Sequence, residues 1–169
     1  LLDDALYFDG ESRELRVETG DGLGHGASAS FTYDVEAGTE PLEITLVWTD
    51  FPAASGAGVT LVNDLDLLVT APGGAQYRGN VFSGGQSATG GSADRRNVEE
   101  CVRVQNPAAG DWTIEVQGFN VPQGPEPFAL CATGAFANWP EDAAAVHEDA
   151  RTGDWRIDAL EPNPSVSGT

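Results

Sequence analysis

The chain contains no lysine, and its shortage of basic residues excludes several classes of partner. Its 8 basic residues are all arginines, against 27 aspartates and glutamates, which gives a formal net charge of −19 at pH 7. A surface of that sign repels nucleic acids and anionic membrane surfaces, so neither is expected as a partner. Two explanations of the acidity stay open: an adaptation to salt, in which acidic side chains keep a protein hydrated, and ordinary lineage composition.

Long apolar runs and clustered histidines are also missing. No run of about eighteen or more apolar residues occurs, so no helix is predicted to span a membrane. The two histidines, His25 and His147, lie in turn-like or linker contexts. Zinc generally needs four clustered ligands, and a hydrolytic triad needs a base beside a nucleophile, so neither a zinc site nor a catalytic triad is predicted.

Only two cysteines occur, at positions 101 and 131. In both of their segments the apolar residues carry even numbers and the cysteine an odd number, so Cys101 and Cys131 leave the core face in the same sense. We predict a disulfide between them, joining neighbouring strands. The alternative is two unpaired thiols that pack as small hydrophobic groups.

What the chain does contain is alternation of apolar and polar residues, interrupted by Gly and Pro turns. Alternation with period two is typical of half-buried β-strands. About eight short strands separated by turns predict an all-β fold, an antiparallel β-sandwich or jelly roll. The segment Ser83–Ala93 is rich in Gly and Ser and is predicted to be a long exposed loop. The clearest alternating runs are residues 27–35, 42–48, 61–69, 98–104, 112–116 and 128–132.

The chain is expected to be a piece of a longer protein, in three parts. Residues 1–10 are interpreted as a short helical remnant that closes a preceding domain, and residues 11–134 as the jelly-roll domain. Residues 135–169 are interpreted as an acidic linker or tail that leads to a further C-terminal module. Within this tail, residues 155–159 are predicted to add one edge strand.

One strand combines alternation with acidic chemistry. Leu65, Leu67 and Val69 share one face, and Asp64 and Asp66 share the other. Since a strand rises about 3.3 Å per residue, the two carboxylates are about 6–7 Å apart, a separation suited to a bridging hard cation such as calcium. The alternative is a solvated acidic face. The candidate ligands are Asp50, Asn63, Asp64, Asp66, Asn80, Asp94, Asn97 and Glu99.

Five segments carry specific motifs: Leu42–Asp50 (LEITLVWTD), Val59–Leu67 (VTLVNDLDL), Tyr77–Asn80 (YRGN), Arg96–Glu99 (RNVE) and Trp112–Pro122 (WTIEVQGFNVP), the last followed by Gly124-Pro125. Together they closely resemble the C-terminal β-barrel domain of secreted subtilisin-like serine proteases of the oxidatively stable alkaline protease type. The resemblance covers roughly residues 1 to 133. Its matching positions include all the candidate ligands except Asp94.

The resemblance implies a fold, a location and partners. In that family the barrel is a jelly roll similar to the P domain of proprotein convertases, packs on the catalytic domain and binds calcium. We therefore expect a secreted, non-catalytic accessory domain, since the family's catalytic motifs have no counterpart in the chain. Its expected partners are the catalytic domain of the parent protease and, in addition, protein substrate. The alternative function is a substrate- or glycan-binding module that presents the loops at residues 53–60, 83–93 and 120–127.

Overall fold

The computed structural model describes residues 12–38 and 40–137, together with the backbone of two short strands further along the chain. Nine strands and no helix are found in the two long described ranges. Their bounds are β1 Glu14–Leu23, β2 Ser28–Val35, β3 Leu42–Trp48, β4 Asp64–Thr70, β5 Gln76–Ser83, β6 Gln86–Thr89, β7 Glu99–Val104, β8 Gly110–Asn120 and β9 Glu126–Gly134. The two later strands are β10 Val146–Glu148 and β11 Trp155–Ile157.

The nine strands form two sheets that enclose one hydrophobic core, as in a β-sandwich. The four-stranded sheet has the order β1-β9-β3-β7, and the five-stranded sheet has the order β2-β8-β4-β5-β6. Every pairing is antiparallel. The predicted all-β antiparallel sandwich is therefore confirmed, with one strand more than the eight expected. The helical remnant predicted at residues 1–10 lies outside the described residues.

Alternation along each strand supplies both the core and the surface. Ile44 and Leu46 of β3 are fully buried, and they join the same apolar cluster as Trp112 of β8. Burying a large apolar side chain contributes about 1.5–3 kcal/mol, so these inward rows stabilise the packing of the two sheets. Trp48 and Trp112 are both buried in this core. The indole N–H of Trp112 donates to the Ala108 carbonyl at 2.8 Å, so its polar edge is also satisfied.

The predicted loop at residues 83–93 is wrong in its first half. Strand β6 pairs with β5 in a hairpin, with Ser83 opposite Gln86. Gly84 and Gly85 form the turn with φ values of 62° and 85°, a left-handed conformation that glycine adopts without steric cost. The prediction failed because it required large apolar side chains for a strand, whereas a hairpin at a sheet edge needs only a suitable turn and backbone hydrogen bonds.

The outer edge of β7 is closed by side chains from β5 and β6. The Cys101 N–H donates to Asn80 Oδ1 at 3.0 Å, and the Arg103 N–H donates to Ser87 Oγ at 2.9 Å. Asn80 has a φ of 60°, a conformation that asparagine tolerates better than most residues. Two backbone donors that a further strand would normally satisfy are therefore already satisfied within the chain.

The chain divides into two compact units, residues 1–137 and 138–169. In the second unit β10 and β11 pair antiparallel, with Val146 opposite Ile157 and Glu148 opposite Trp155. Strand β11 falls within the predicted edge strand at residues 155–159, and β10 falls in the segment interpreted as linker. None of the helices that a membrane crossing would require is present among the described residues.

Candidate functional site

Asp64 and Asp66 lie at the start of β4, on the face opposite to its core residues. Leu65 and Leu67 are 0% and 1% exposed and join the core, as alternation predicted. The two aspartates are also buried, at 6% and 5% exposure, so the interpretation of a solvated acidic face is wrong for them. Two neighbouring buried carboxylates require a compensating positive charge or hydrogen bonds.

Arg95 supplies that charge. Its Nη1 donates to Asp64 Oδ1 at 3.2 Å and also to Asp66 Oδ1, and its Nη2 donates to Asp66 Oδ2 at 3.0 Å. The guanidinium carbon lies 3.6 Å from the centroid of the Phe119 ring, within the range of a cation–π interaction. The guanidinium is therefore held between two carboxylates and an aromatic face. The sequence pattern gave no signal for this pairing, because Arg95 is 29 residues from Asp66 along the chain.

The single positive charge of Arg95 does not fully neutralise the two carboxylates of Asp64 and Asp66. Burial raises the pKa of Asp64 to about 6, the Arg95 guanidinium acts in the opposite direction, and the charge of Asp66 adds to the increase. The hydrogen bonding that Arg95 donates to Asp66 is the main cause that raises the pKa of Arg95 above its usual range, so the guanidinium stays charged. One cation thus faces an excess of carboxylates.

Glu100 is a further buried carboxylate near this pair, and it was not among the predicted site residues. It is 1% exposed, and its Oε2 accepts the Leu67 N–H at 2.6 Å. Its Oε1 has no hydrogen-bond partner among the described residues. The even-numbered apolar residues of β7, Val102 and Val104, place Glu100 on the core face, and this parity was the signal that could have found it.

Both the pKa of Glu100 and the backbone opposite it reflect this burial. Burial raises the pKa of Glu100 to about 8, the Leu67 N–H acts in the opposite direction, and the charges of Asp66, Asp94 and Asp64 add to the increase. A Cβ at Gly79 of β5 would lie 2.3 Å from Glu100 Oε2 and 2.6 Å from its Cβ. The YRGN motif therefore needs glycine at this position to make room for the glutamate.

Three of the predicted ligands form a second cluster, in which Asn80 of β5 meets Asp94 and Asn97 of the loop before β7. Asp94 Oδ2 accepts the side-chain amides of Asn80 at 2.8 Å and Asn97 at 2.5 Å, and its Oδ1 accepts the Arg96 N–H at 2.9 Å. Burial alone would raise the pKa of Asp94, but these hydrogen bonds together lower it. Glu99 is exposed, and its backbone carbonyl accepts the Asn80 amide.

Asp50 and Asn63 belong to a third, structural network that ties two loops together. Asp50 accepts three backbone N–H groups, from Phe51 and Asn63 through Oδ1 and from Val62 through Oδ2, at 2.7–2.8 Å. The Asn63 side chain is fully buried and bonds the backbone of Gln123 through both its oxygen and its nitrogen. It also donates to Glu126 Oε2 at 2.6 Å. These contacts fix the β3–β4 loop against the β8–β9 loop.

The predicted ligands therefore do not converge on one metal site. Among the described residues, no group of three or more His, Cys, Asp and Glu side chains could hold a metal ion. Calcium takes six to eight oxygen ligands, about twice the number that two carboxylates supply. In the described arrangement at least one oxygen of each of Asp64, Asp66, Asp94 and Asp50 already accepts a donor from the protein, so a calcium ion at any of them would compete with these donors.

The predicted disulfide between Cys101 and Cys131 is wrong, since both residues are free thiols. Cys101 lies on β7 and Cys131 on β9, and both are opposite Thr45 of the strand between them, β3. Strands in a sheet are about 4.8 Å apart, so the two Cα atoms are about 10 Å apart, beyond the reach of a disulfide. The odd numbering of both cysteines correctly predicted that they lie on the same face of the sheet. It contains no information on the order of the strands.

In comparisons with known proteins, the chain is similar to short segments of much longer proteins. It is 34% identical over 99 residues to a serine protease/ABC transporter B family protein, tagB, of Dictyostelium discoideum, which is 57% of this chain and 5% of that protein. It is 30% identical over 143 residues to the related tagD of the same organism, which is 75% of this chain and 8% of that protein. The chain therefore spans less than a tenth of these relatives.

Two other comparisons add little. No protein-family model matches the chain. A crystal structure of the Bacillus licheniformis lipase BlEst2 in its propeptide form superposes with a TM-score of 0.41 and 18% identity, over 73% of this chain and 22% of the lipase chain. A likeness at that score does not indicate a shared function. The class defined by fold and similarity is thus a β-sandwich similar to part of proteins that are named serine proteases.

Proposed function

We propose that the chain is a non-catalytic accessory domain of a secreted subtilisin-like serine protease, which docks on the catalytic domain and stabilises it. The similarity to short segments of proteins named serine protease/ABC transporter B family proteins supports a protease parent, and in those relatives the matching segment is one part of a much longer polypeptide. The docking partner is then the protease domain of the same polypeptide. The observation that supports docking is the mostly uncharged outer face of the four-stranded sheet.

This outer face consists of the side chains that point away from the core on β1, β9, β3 and β7. One row across the four strands is Val17, Cys131, Thr45 and Cys101, and the next is Thr19, Ala129, Val47 and Glu99. Val17 is 55% exposed and Val47 is 41% exposed. Seven of the eight positions in the two rows are uncharged, in a chain with a net charge of −19.

The charges that do occur on this face are at its margins. Glu99 stands on β7 at one side, and the next row contains the ion pair of Glu43 and Arg103, with Nε and Oε1 2.9 Å apart. The outer face of the other sheet contains Asp34 opposite Asp111. A protein partner can therefore cover the uncharged part of this outer face and leave Glu99 in water at its margin, so that no unpaired charge is buried, which is the costly part of forming an interface.

The mechanism of the proposed function is linkage. A partner surface that binds only the folded sandwich stabilises it by mass action, and the sandwich stabilises the partner in return. Within one polypeptide the effective concentration of the two surfaces is high, so even a small interface is occupied. No chemistry is assigned to the chain itself, and the single histidine among residues 12–38 and 40–137, His25, is exposed on a turn.

Calcium is the cofactor that the resemblance implies, and the docking proposal does not depend on it. Oxygens of Asp50, Asp64, Asp66 and Asp94 accept donors of the protein, so we derive no step of the docking mechanism from a bound ion. An ion at Asp64 and Asp66 would compete with Arg95 for the same oxygens.

The test of docking uses the full-length parent protein with Val17→Arg and Val47→Arg combined. The matched control is Thr32→Arg with Thr113→Arg, since these exposed residues lie opposite each other on the outer face of the five-stranded sheet. Both double variants add the same charge to exposed strand positions, where single substitutions usually change stability little. We expect the outer-face variant to shorten the half-life of proteolytic activity on heating several-fold, and the control to leave it unchanged.

Equal half-lives for the two variants would contradict the proposal. The melting temperature of the 169-residue chain alone, measured for both variants, shows whether either pair damages the sandwich itself. Loss of stability in the chain alone would identify a folding defect, and the comparison would then be repeated with Val17→Thr and Val47→Thr, which keep the strand propensity.

A second candidate function is a binding module, and exposed apolar residues on one ordered loop favour it. Phe51 and Val59 are 50% and 53% exposed in the β3–β4 loop, which Asp50 holds through three backbone N–H groups. Retention of the chain on insoluble polysaccharide or on casein, lost in Phe51→Ser, would support this function. Retention that is absent from the start would remove it.

A further inference from the structure

We infer that Arg95 is the built-in cation of the Asp64–Asp66 pair, so that the chain supplies from its own sequence the positive charge that the spacing of the two aspartates predicted for calcium. This inference is independent of the docking proposal, since it concerns only residues inside the sandwich and the loop before β7. It predicts a sandwich whose stability does not depend on calcium.

The geometry of the guanidinium carries the inference. Nη1 and Nη2 of Arg95 engage the two oxygens of Asp66, which is the fork arrangement that gives the strongest charge-assisted hydrogen bonds. Nη1 also reaches Asp64 Oδ1 at 3.2 Å and the Asp94 carbonyl at 3.0 Å. Lysine could provide the charge but not the planar fork, so arginine is required by geometry as well as by charge.

The Arg95 side chain is also held from the opposite side. Its guanidinium carbon is 3.6 Å from the centre of the Phe119 ring, and that ring is itself 51% exposed. The ring therefore covers the guanidinium on the solvent side, where the Arg95 side chain is 38% exposed, while the aspartates below it are 9% and 7% exposed. Partial desolvation of this kind strengthens both the ion pairs and the cation–π interaction.

Arg95 and a divalent ion exclude each other at this pair. An ion bound to both aspartates would share the Asp66 carboxylate with the guanidinium, since both of its oxygens accept an Arg95 N–H, and it would lie close to the positive charge that also reaches Asp64 Oδ1. The neighbouring Asp94 offers no free carboxylate to compensate, since Arg96, Asn80 and Asn97 all donate to it. An ion can therefore enter only when Arg95 leaves.

The experiment compares the melting temperature of the 169-residue chain in millimolar CaCl₂ and in EDTA at constant ionic strength. The variants are Arg95→Gln and, as matched control, Arg96→Gln, whose side chain is exposed on the same loop. We expect the wild type and the control to melt at the same temperature with and without calcium. We expect Arg95→Gln to melt several degrees lower in EDTA and to recover part of that loss in CaCl₂, because two buried carboxylates are then without a cation.

Isothermal titration of the same three proteins with CaCl₂ gives a second readout, with heat of binding expected only for Arg95→Gln. If Arg95→Gln does not fold even with calcium, Arg95→Lys takes its place, with a smaller loss and a smaller recovery expected. A calcium-dependent rise in the melting temperature of the wild type equal to that of the Arg95 variant would overturn the inference. So would an Arg95 variant as stable as the control in EDTA.

Discussion

At the scale of single residues, Glu100 makes the stability of the sandwich depend on pH. Its carboxyl is buried on the core face of β7, and its pKa is raised from the ordinary 4.5 to about 8. A carboxyl with a higher pKa in the folded state binds more protons when folded. Its contribution to stability is therefore complete below about pH 4.5 and is lost as the pH rises through about 8.

We predict that Glu100→Gln removes most of this dependence. At pH 8 the variant should melt several degrees above the wild type, since glutamine keeps the oxygen that accepts the Leu67 N–H but does not ionise. Near pH 5 the two proteins should melt at closely similar temperatures. Asp64, whose pKa is raised to about 6, leaves a smaller dependence of the same sign in the variant.

Calorimetry across this pH range checks the Glu100 prediction. The control is Glu36→Gln, at an exposed position after β2, which should follow the wild type at every pH. A wild-type melting temperature that is constant between pH 5 and pH 8 would refute the prediction, as would a variant that melts lower than the wild type at both ends.

Residue positions differ in how far the sequence alone determines them. The core face of β4 and the burial of Glu100 both follow from alternation, although the glutamate was overlooked among so many acids. The contact of Arg95 with Asp66 depends instead on how the loop before β7 folds back over β4, and that path is set by tertiary packing. Candidate ligands could thus be assigned to a face, but the cation that pairs with them could not.

At the scale of strands and sheets, whether the two cysteines can form a disulfide depends on the order of the strands. Cys101 and Cys131 each lie next to β3, one on either side, at the level of Thr45. We predict that the purified chain keeps two free thiols under mild oxidation and takes up two alkyl groups without prior reduction. Intact mass spectrometry after iodoacetamide treatment measures this number.

The Cys101→Ser variant is the control for the thiol experiment. It should take up one alkyl group and keep the melting temperature of the wild type, because no crosslink is lost. An unreduced wild-type chain that takes up no alkyl group and has a mass two hydrogens lower would show that the disulfide forms after all. In that case β3 could not lie between the two cysteines as it does here.

The strands themselves were largely predictable, and their arrangement was not. Alternation located β2, β3, β4, β7, β8 and β9, because each has one apolar and one polar face. It missed β6, which contributes only small polar side chains, and it gave no sign that β3 separates β7 from β9. Neighbour relations between strands distant in sequence depend on the whole core, so a pattern within one strand does not encode them.

At the scale of the whole molecule, the net charge of −19 predicts a marked response to salt. Like charges spread over a chain of 169 residues repel each other, and this repulsion falls once the Debye length drops to about 10 Å, near 0.1 M salt. We predict that the melting temperature rises with NaCl concentration up to the molar range. Thermal unfolding in NaCl and in tetramethylammonium chloride at equal ionic strength tests this.

The two salts distinguish screening from ion binding. Screening of a general negative charge should raise the melting temperature equally in both salts, because neither cation needs a specific site. A rise with sodium alone would point to bound ions and would contradict the prediction, as would a melting temperature independent of salt. The Arg95 ion pairs should change little in this series, since they are partly shielded from solvent.

The side chains of Asn80 and Ser87 along β7 make the two edges of the four-stranded sheet unequally open to pairing with a further strand. Because they already occupy two of the N–H groups on that edge, a second chain that adds as a strand finds fewer donors there. At the other end of the sheet, β1 pairs with β9 on one side and with no other strand among the described residues. Strand exchange between copies, or the start of a fibril, would therefore begin at β1, and Asn80→Ala with Ser87→Ala would make the sheet open to association from both sides.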